Sequence, residues 1–251
     1  MIKIIKNLWL FAIFFVSCTQ QQDKTVHIDE ILPTKEDSLR QVSTEGYGKG
    51  RPVKPPKPGS VTAGYLIYLD FDGQIVNSSH WNGGQSFVCA PPALTQEQKD
   101  IVVGRVVTDY APYKISITTS ESVFSAAPIG KKIRVIVTPT SSWRQGVSGI
   151  AYTGSIDWTD GTPAFVFSDR LYNIPEYIGV ISVHETGHTL GLTHQAEWSD
   201  SCTLVTPYRM GVIMGNGLYN SSSTWIYGTT AYGCNVYQND PEHLKLKLGL
   251  K

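Results

Sequence analysis

Residues 184–194, with the sequence HETGHTLGLTH, constrain the chemistry of this chain more than any other stretch. His184 and His188 are four residues apart, and this spacing places both imidazoles on one face of an α-helix. Two imidazoles placed in this way can bind one Zn²⁺ together. Glu185 directly follows the first histidine, so its carboxylate can reach a metal-bound water without being a ligand itself. The pattern therefore predicts a helix that carries a zinc site.

The residues after this helix supply a third ligand. Gly191 can take the left-handed conformation that ends a helix, and the chain can then turn so that His194 approaches the other two histidines. Three protein ligands leave the fourth position to water, as in a catalytic zinc site and unlike a closed structural one. The alternative is a helix whose histidines are ordinary polar groups. Three of the chain's six histidines lie in these eleven residues, which favours the metal site.

The stretch matches H-E-x-x-H-x-x-G-x-x-H at every fixed position and thus resembles the signature of the metzincin metalloproteases. The resemblance implies that His184, His188 and His194 hold one catalytic Zn²⁺ and that Glu185 is the general base. Gly191 is the glycine of the signature.

A second feature of the metzincins is a Met-turn downstream of the third histidine, and residues 213–215 (Ile-Met-Gly) supply its candidate. The resemblance implies that Met214 forms an apolar floor beneath the metal. Some members carry an additional tyrosine ligand, for which Tyr219 is a candidate. It lies five residues after Met214 instead of two. Gln195, after the third histidine, differs from the Glu, Asp, Ser or Pro of the better-known branches, so the subfamily stays open.

The resemblance implies a zinc-dependent endopeptidase that hydrolyses peptide bonds of proteins or peptides. Two alternatives remain at this point. One is an amidase of cell-wall or glycoprotein substrates. The other is an inactive zinc-containing module for peptide binding or adhesion. Glu185 speaks against the inactive module, because binding alone does not need that carboxylate.

The expected fold is α+β and zincin-like, with a twisted, mixed five-stranded sheet and helices in an upper subdomain. An active-site helix leads to an irregular lower subdomain with the Met-turn and a C-terminal helix. Apolar runs predict strands at 64–73, 114–119, 132–138, 149–154 and 164–167. Helices are predicted from a Thr95 capping box to 109, from an Asn173 cap with Glu176, and at 240–248. The resemblance covers residues 61–251, which we take as the catalytic domain.

The fourth of these strands is short and bounded by glycines, as is typical of an edge strand. An edge strand offers unpaired N–H and C=O groups that an extended peptide can use to add a strand to the sheet. In the metzincins the edge strand binds the substrate in this way. We therefore expect Gly149, Ile150, Ala151 and Tyr152 to bind substrate.

Residues 1–18 resemble the signal peptide of a bacterial lipoprotein. Lys3 and Lys6 precede an apolar run at 8–16, which is too short to span a bilayer. Val16 and Ser17 then lead to Cys18, as in a lipobox, so lipidation of Cys18 is predicted. Thr19 follows in place of the Asp that favours the inner membrane. The expected location is the cell envelope, as an outer-membrane lipoprotein facing the periplasm or the surface.

Residues 19–60 are polar, with prolines concentrated at 51–58, and this composition favours an extended spacer. We interpret the segment as a tether between the lipid anchor and the catalytic domain. A propeptide that blocks the zinc is the alternative, although the segment contains no cysteine-switch motif.

The remaining cysteines and the charge balance bear on stability and partners. Cys202 and Cys234 bracket the candidate Met-turn and are the expected disulfide pair, which leaves Cys89 free.

Equal numbers of basic and acidic residues, 21 of each, argue against nucleic acid as the main partner. The expected partners are a protein or peptide substrate and, through the lipid, a membrane. We expect a monomer.

Overall fold

The computed structural model describes residues 64–219 and 223–251, together with the backbone of residues 26–29. The predicted signal peptide, Cys18 and most of the predicted tether lie outside the described residues. None of the helices in the described ranges is long and apolar enough to cross a bilayer.

The described strands and helices follow one another in two groups. The first group is β1 (Val26–Asp29), β2 (Tyr65–Asp70), β3 (Gln74–Val76), β4 (Phe87–Cys89), α1 (Gln96–Asp109), β5 (Ile115–Thr118), α2 (Glu121–Ala126), β6 (Lys132–Thr138), β7 (Gly149–Tyr152) and β8 (Ala164–Phe167). The second group is α3 (Pro175–Thr189), β9 (Glu197–Trp198), β10 (Leu204–Thr206), β11 (Tyr227–Thr230), β12 (Gly233–Asn239) and α4 (Asp240–Leu248).

The central sheet is mixed and has the strand order β1-β7-β8-β6-β2-β5. Strands β5, β2, β6 and β8 are parallel, whereas β7 runs antiparallel to β8. The five predicted strands all lie in this sheet, so the prediction of a mixed α+β fold is confirmed. Strand β1 adds a sixth strand, antiparallel to β7, and this differs from the prediction of a plain tether at these four residues. Strand β7 is therefore the edge of the predicted five strands but is covered by β1.

The sheet forms because its strands are apolar on both faces, as a mostly parallel sheet requires. One face packs against α1 and α3, where Val102 and Val106 meet the helix that carries Ile178 and Ile181. The other face is covered by an aromatic cluster of Trp81, Trp143, Phe165 and Phe167. Burial on both sides fixes the position of the sheet relative to α3.

Capping explains where the helices begin. At α1 the Thr95 hydroxyl accepts from the backbone of Gln98, whose side chain accepts from the Thr95 N–H, as the sequence predicts. The predicted Asn173 cap of α3 is wrong: the helix begins at Pro175, and Ile174 precedes it with no side-chain cap. Asn173 has a φ of +54°, a turn conformation, and its N–H donates to the Ser168 carbonyl at 2.8 Å. That turn places Asn173 outside the helix.

The lower half contains hairpins that the sequence did not predict. Strands β9 and β10 form one hairpin, and β11 and β12 form another.

The structure pairs Cys202 with Cys234, with 5.5 Å between their Cα atoms, which is the expected pairing. Cys89 is free and buried, and this burial raises the pKa of its thiol to about 12. The disulfide links the segment after α3 to the second hairpin.

Candidate metal centre

Helix α3 carries two of the three candidate ligands into the interior. His184 and His188 are 1% and 0% exposed, and the helix is buried from Tyr177 to Thr189. The helix ends before Gly191, whose φ of +105° is in the range that favours glycine, as expected from the sequence. His194 then returns to the same place and is 7% exposed. The ligand atoms of the three histidines lie within 4.8 Å of one another, so the cluster can hold a metal ion.

The hydrogen bonds of the first two imidazoles fix which nitrogen faces the centre. His184 Nδ1 donates to the Ile213 carbonyl at 2.5 Å, and His188 Nδ1 donates to the Leu192 carbonyl at 2.8 Å. A carbonyl oxygen only accepts, so each Nδ1 carries the proton and each Nε2 keeps its lone pair. The two imidazoles are therefore held in the tautomer that binds a metal through Nε2.

The three Nε2 atoms converge on one point. His188 Nε2 lies 3.0 Å from Nε2 of His184 and 3.0 Å from Nε2 of His194. Buried lone pairs that face one another are unfavourable unless a cation lies between them. Zinc–nitrogen bonds of about 2.0–2.1 Å in tetrahedral geometry place two nitrogens about 3.3 Å apart. The observed separations are within about 0.3 Å of this value, so the three nitrogens are close enough together to share one ion.

Glu185 lies on the side of α3 that faces strand β7. Its carboxylate is fully buried, and a Cβ on Gly149 would overlap Oε1 and lie 2.8 Å from Cγ and Cδ of Glu185. A side chain at position 149 would therefore push the carboxylate away. The sequence identified Gly149 as part of the edge strand but did not reveal that it makes room for Glu185.

Replacement of Gly149 by alanine should displace the Glu185 carboxylate and lower the hydrolytic activity that the sequence motif predicts by at least about tenfold, with little change in metal content. The metal content stays because the three atoms nearest to the new methyl group all belong to Glu185, which is not one of the three histidine ligands. Gly154→Ala is the matched control on the same segment, since a Cβ there meets nothing within 4 Å, although its φ of +73° carries a small conformational cost. Equal activity of Gly149→Ala and Gly154→Ala would contradict the contact with Glu185.

The candidate Met-turn lies directly beneath α3. Met214 is fully buried, and a Cβ on Gly187 would come within 2.5 Å of its Sδ, so only glycine at 187 allows this approach. The turn also accepts hydrogen bonds from the first histidine and from the residue that follows the third. Ile213 accepts from His184, and the Met214 carbonyl accepts from the Gln195 N–H at 2.6 Å. The structure therefore places Met214 against α3 at Gly187, in a turn that bonds to His184 and to Gln195.

Gln195 has a role that the sequence did not reveal. Its Nε2 donates to Asp240 Oδ1 at 2.9 Å and to the Gln238 carbonyl at 3.2 Å. The Gln238 side chain in turn accepts from the Thr193 N–H at 2.9 Å. Burial raises the pKa of Asp240, against the hydrogen bonds from Gln195 and Gln238. This network holds both residues that flank His194 against the start of α4.

Two tyrosines, Tyr219 and Tyr208, bear on whether a tyrosine lies near the histidine cluster. Tyr219 ends a 3-10 turn at Gly217–Tyr219, and its side chain is outside what the structure describes. Tyr208 is half-buried, and its ring meets the His194 ring edge-on with 4.8 Å between centroids. The sequence missed Tyr208 because it precedes the Met-turn, where no motif spacing marks a tyrosine.

Comparison with models of known protein families and with curated proteins gives no match for this chain.

Proposed function

We propose that this chain is a zinc-dependent endopeptidase of the metzincin type, which hydrolyses peptide bonds of proteins or peptides. The observation that carries the proposal is the convergence of three Nε2 atoms beside a buried glutamate that lies against a strand of the sheet. A closed structural site would use four protein ligands. Here three histidines converge, and the match to the H-E-x-x-H-x-x-G-x-x-H signature adds to this support.

Zinc is the ion that the donor set favours among the candidates. Neutral imidazoles suit zinc, copper, iron and nickel, and three histidine ligands that leave a fourth position open are the usual form of a catalytic zinc site. Bound zinc would supply Lewis acidity, which polarises a substrate carbonyl and lowers the pKa of water to about 7.

Proton transfer and orientation of the substrate would be carried out by residues of the chain itself. Glu185 accepts the proton of the attacking water and passes it to the leaving amine, because it is the carboxylate closest along the helix to the ligands. Its burial keeps competing solvent away from this proton transfer. The backbone of β7 orients the substrate, since Gly149 brings this strand into contact with Glu185.

The location that we propose is the cell envelope, with Cys18 as the site of a lipid anchor on the outer membrane. The support comes from the sequence of residues 1–18 and from the disulfide between Cys202 and Cys234, which suits an oxidising compartment outside the cytosol.

The zinc-loaded full chain should cleave internal bonds in a peptide library, lose this activity with a chelator and regain it with added zinc. Mass spectrometry of the products identifies the bonds. Binding of peptides without cleavage would indicate the inactive module instead. Release of cell-wall or glycan-linked fragments, with the peptide library intact, would indicate an amidase.

A further inference from the structure

We propose that β1, the segment Val26–Asp29, is a built-in competitor that occupies the peptide-binding edge of the catalytic domain and keeps the full chain partly latent. The inference rests on the proposed peptidase function and adds a form of regulation to the same site. It differs from the plain tether that the sequence of residues 19–60 favours.

The pairing of β1 with β7 carries the inference. The two strands are antiparallel, and all four residues of β7 have a partner: Val26 pairs with Tyr152, His27 with Ala151, Ile28 with Ile150, and Asp29 with Gly149. The four residues of β7 are those expected to bind substrate as an added strand. On its other side β7 already pairs with β8, through Gly149 and Ile150. A substrate strand and β1 therefore compete for the same free side of β7.

The register brings β1 to the catalytic end of this edge. Asp29 lies opposite Gly149, the residue whose missing side chain leaves room for the Glu185 carboxylate. At the other end of the segment, the Gly154 N–H donates to the His188 carbonyl at 2.9 Å, which joins the residues after β7 to the ligand helix. An extended segment on β7 thus passes beside both the general base and the ligand helix.

Covalent connection favours the internal strand over a free peptide. Strand β1 belongs to the same chain as β7, so it competes at an effective concentration on the order of 1 mM. A substrate at micromolar concentration meets an edge that is already occupied. Such competition raises the apparent KM and leaves kcat unchanged, because it affects the binding of substrate and not the chemical step.

The test uses the full chain with His27→Pro and Ile28→Pro together. Successive N–H groups of a strand point to opposite sides, so one of the two prolines removes an N–H that faces β7 whichever way the ladder runs. The matched control is His27→Thr with Ile28→Val, which keeps both N–H groups and the preference for strand. Two readouts are needed: steady-state kinetics on a cleavable peptide, and hydrogen exchange at Gly149–Tyr152.

The proline pair should lower KM by about fivefold or more at unchanged kcat, and speed amide exchange in β7 by about tenfold. The control pair should match the wild type in both readouts. Unchanged KM in the proline pair would overturn the inference, even if exchange becomes faster, since β1 would then pair with β7 without excluding substrate. An equal drop in KM for the control pair would also overturn it. A proline pair and a wild type that both fail to cleave any peptide would instead remove the proposed function.

Discussion

Replacement of Glu185 by glutamine should lower kcat by at least about a hundredfold while one metal ion per chain remains bound. The expected loss follows from the loss of a positioned base, since proton transfer by such a group contributes about 10²–10⁴ in rate. The metal stays because the ligand set consists of the three histidines, whose Nε2 atoms converge without the glutamate. Glutamine keeps the shape that fits against Gly149 and removes only the basicity.

Glu176→Gln is the matched control for this variant. Glu176 is on the same helix, in its first turn, and the substitution removes the same charge. It lies about 13 Å along the helix axis from Glu185, too far to exchange a proton with substrate. Its kcat should equal that of the wild type. Metal content by elemental analysis and the thermal unfolding midpoint check that both variants are folded and loaded. A Glu185→Gln chain with near-wild-type kcat would show that another residue is the base.

Much of the upper half can be predicted from the sequence because its signals are local. The strand β6 is a run of β-branched and apolar residues, and its predicted bounds match the structure at Lys132–Thr138. The same holds for β8 at Ala164–Phe167 and for α4 at Asp240–Leu248. The histidine spacing similarly sets the positions of His184 and His188, since both depend on one helix.

Other features depend on contacts between distant residues and could not be predicted in this way. Gly149 and Glu185 meet only because β7 packs on α3, and the sequence of neither segment reports the other. The hydrogen bond between Gln195 and Asp240 joins residues 45 positions apart. Strand β1 lies in a polar, proline-containing segment whose composition favours a spacer. Its pairing depends on the edge of β7, a distant partner that the sequence of residues 26–29 does not reveal.

Replacement of His194 by alanine should weaken zinc binding by more than about a hundredfold and abolish peptidase activity, with the fold largely retained. Loss of a mere hydrogen-bond partner of a ligand already costs about 10–100-fold in metal affinity, so loss of a ligand costs more. The fold is expected to persist because His194 lies after the helix, and because Gln195 stays bonded to Met214 and Asp240. His184 and His188 keep their hydrogen bonds to Ile213 and Leu192.

Thermal unfolding with and without zinc measures this effect independently of activity. An ion that binds only the folded state stabilises it, by about 2.7 kcal/mol at a free concentration one hundred times the dissociation constant. Zinc should therefore raise the unfolding temperature of the wild type and leave that of His194→Ala nearly unchanged. His80→Ala is the matched control, because it removes an imidazole that bonds to Asp160, outside the histidine cluster. Its response to zinc should equal that of the wild type. A His194→Ala chain that zinc stabilises as strongly as the wild type would show that the third histidine is not a ligand.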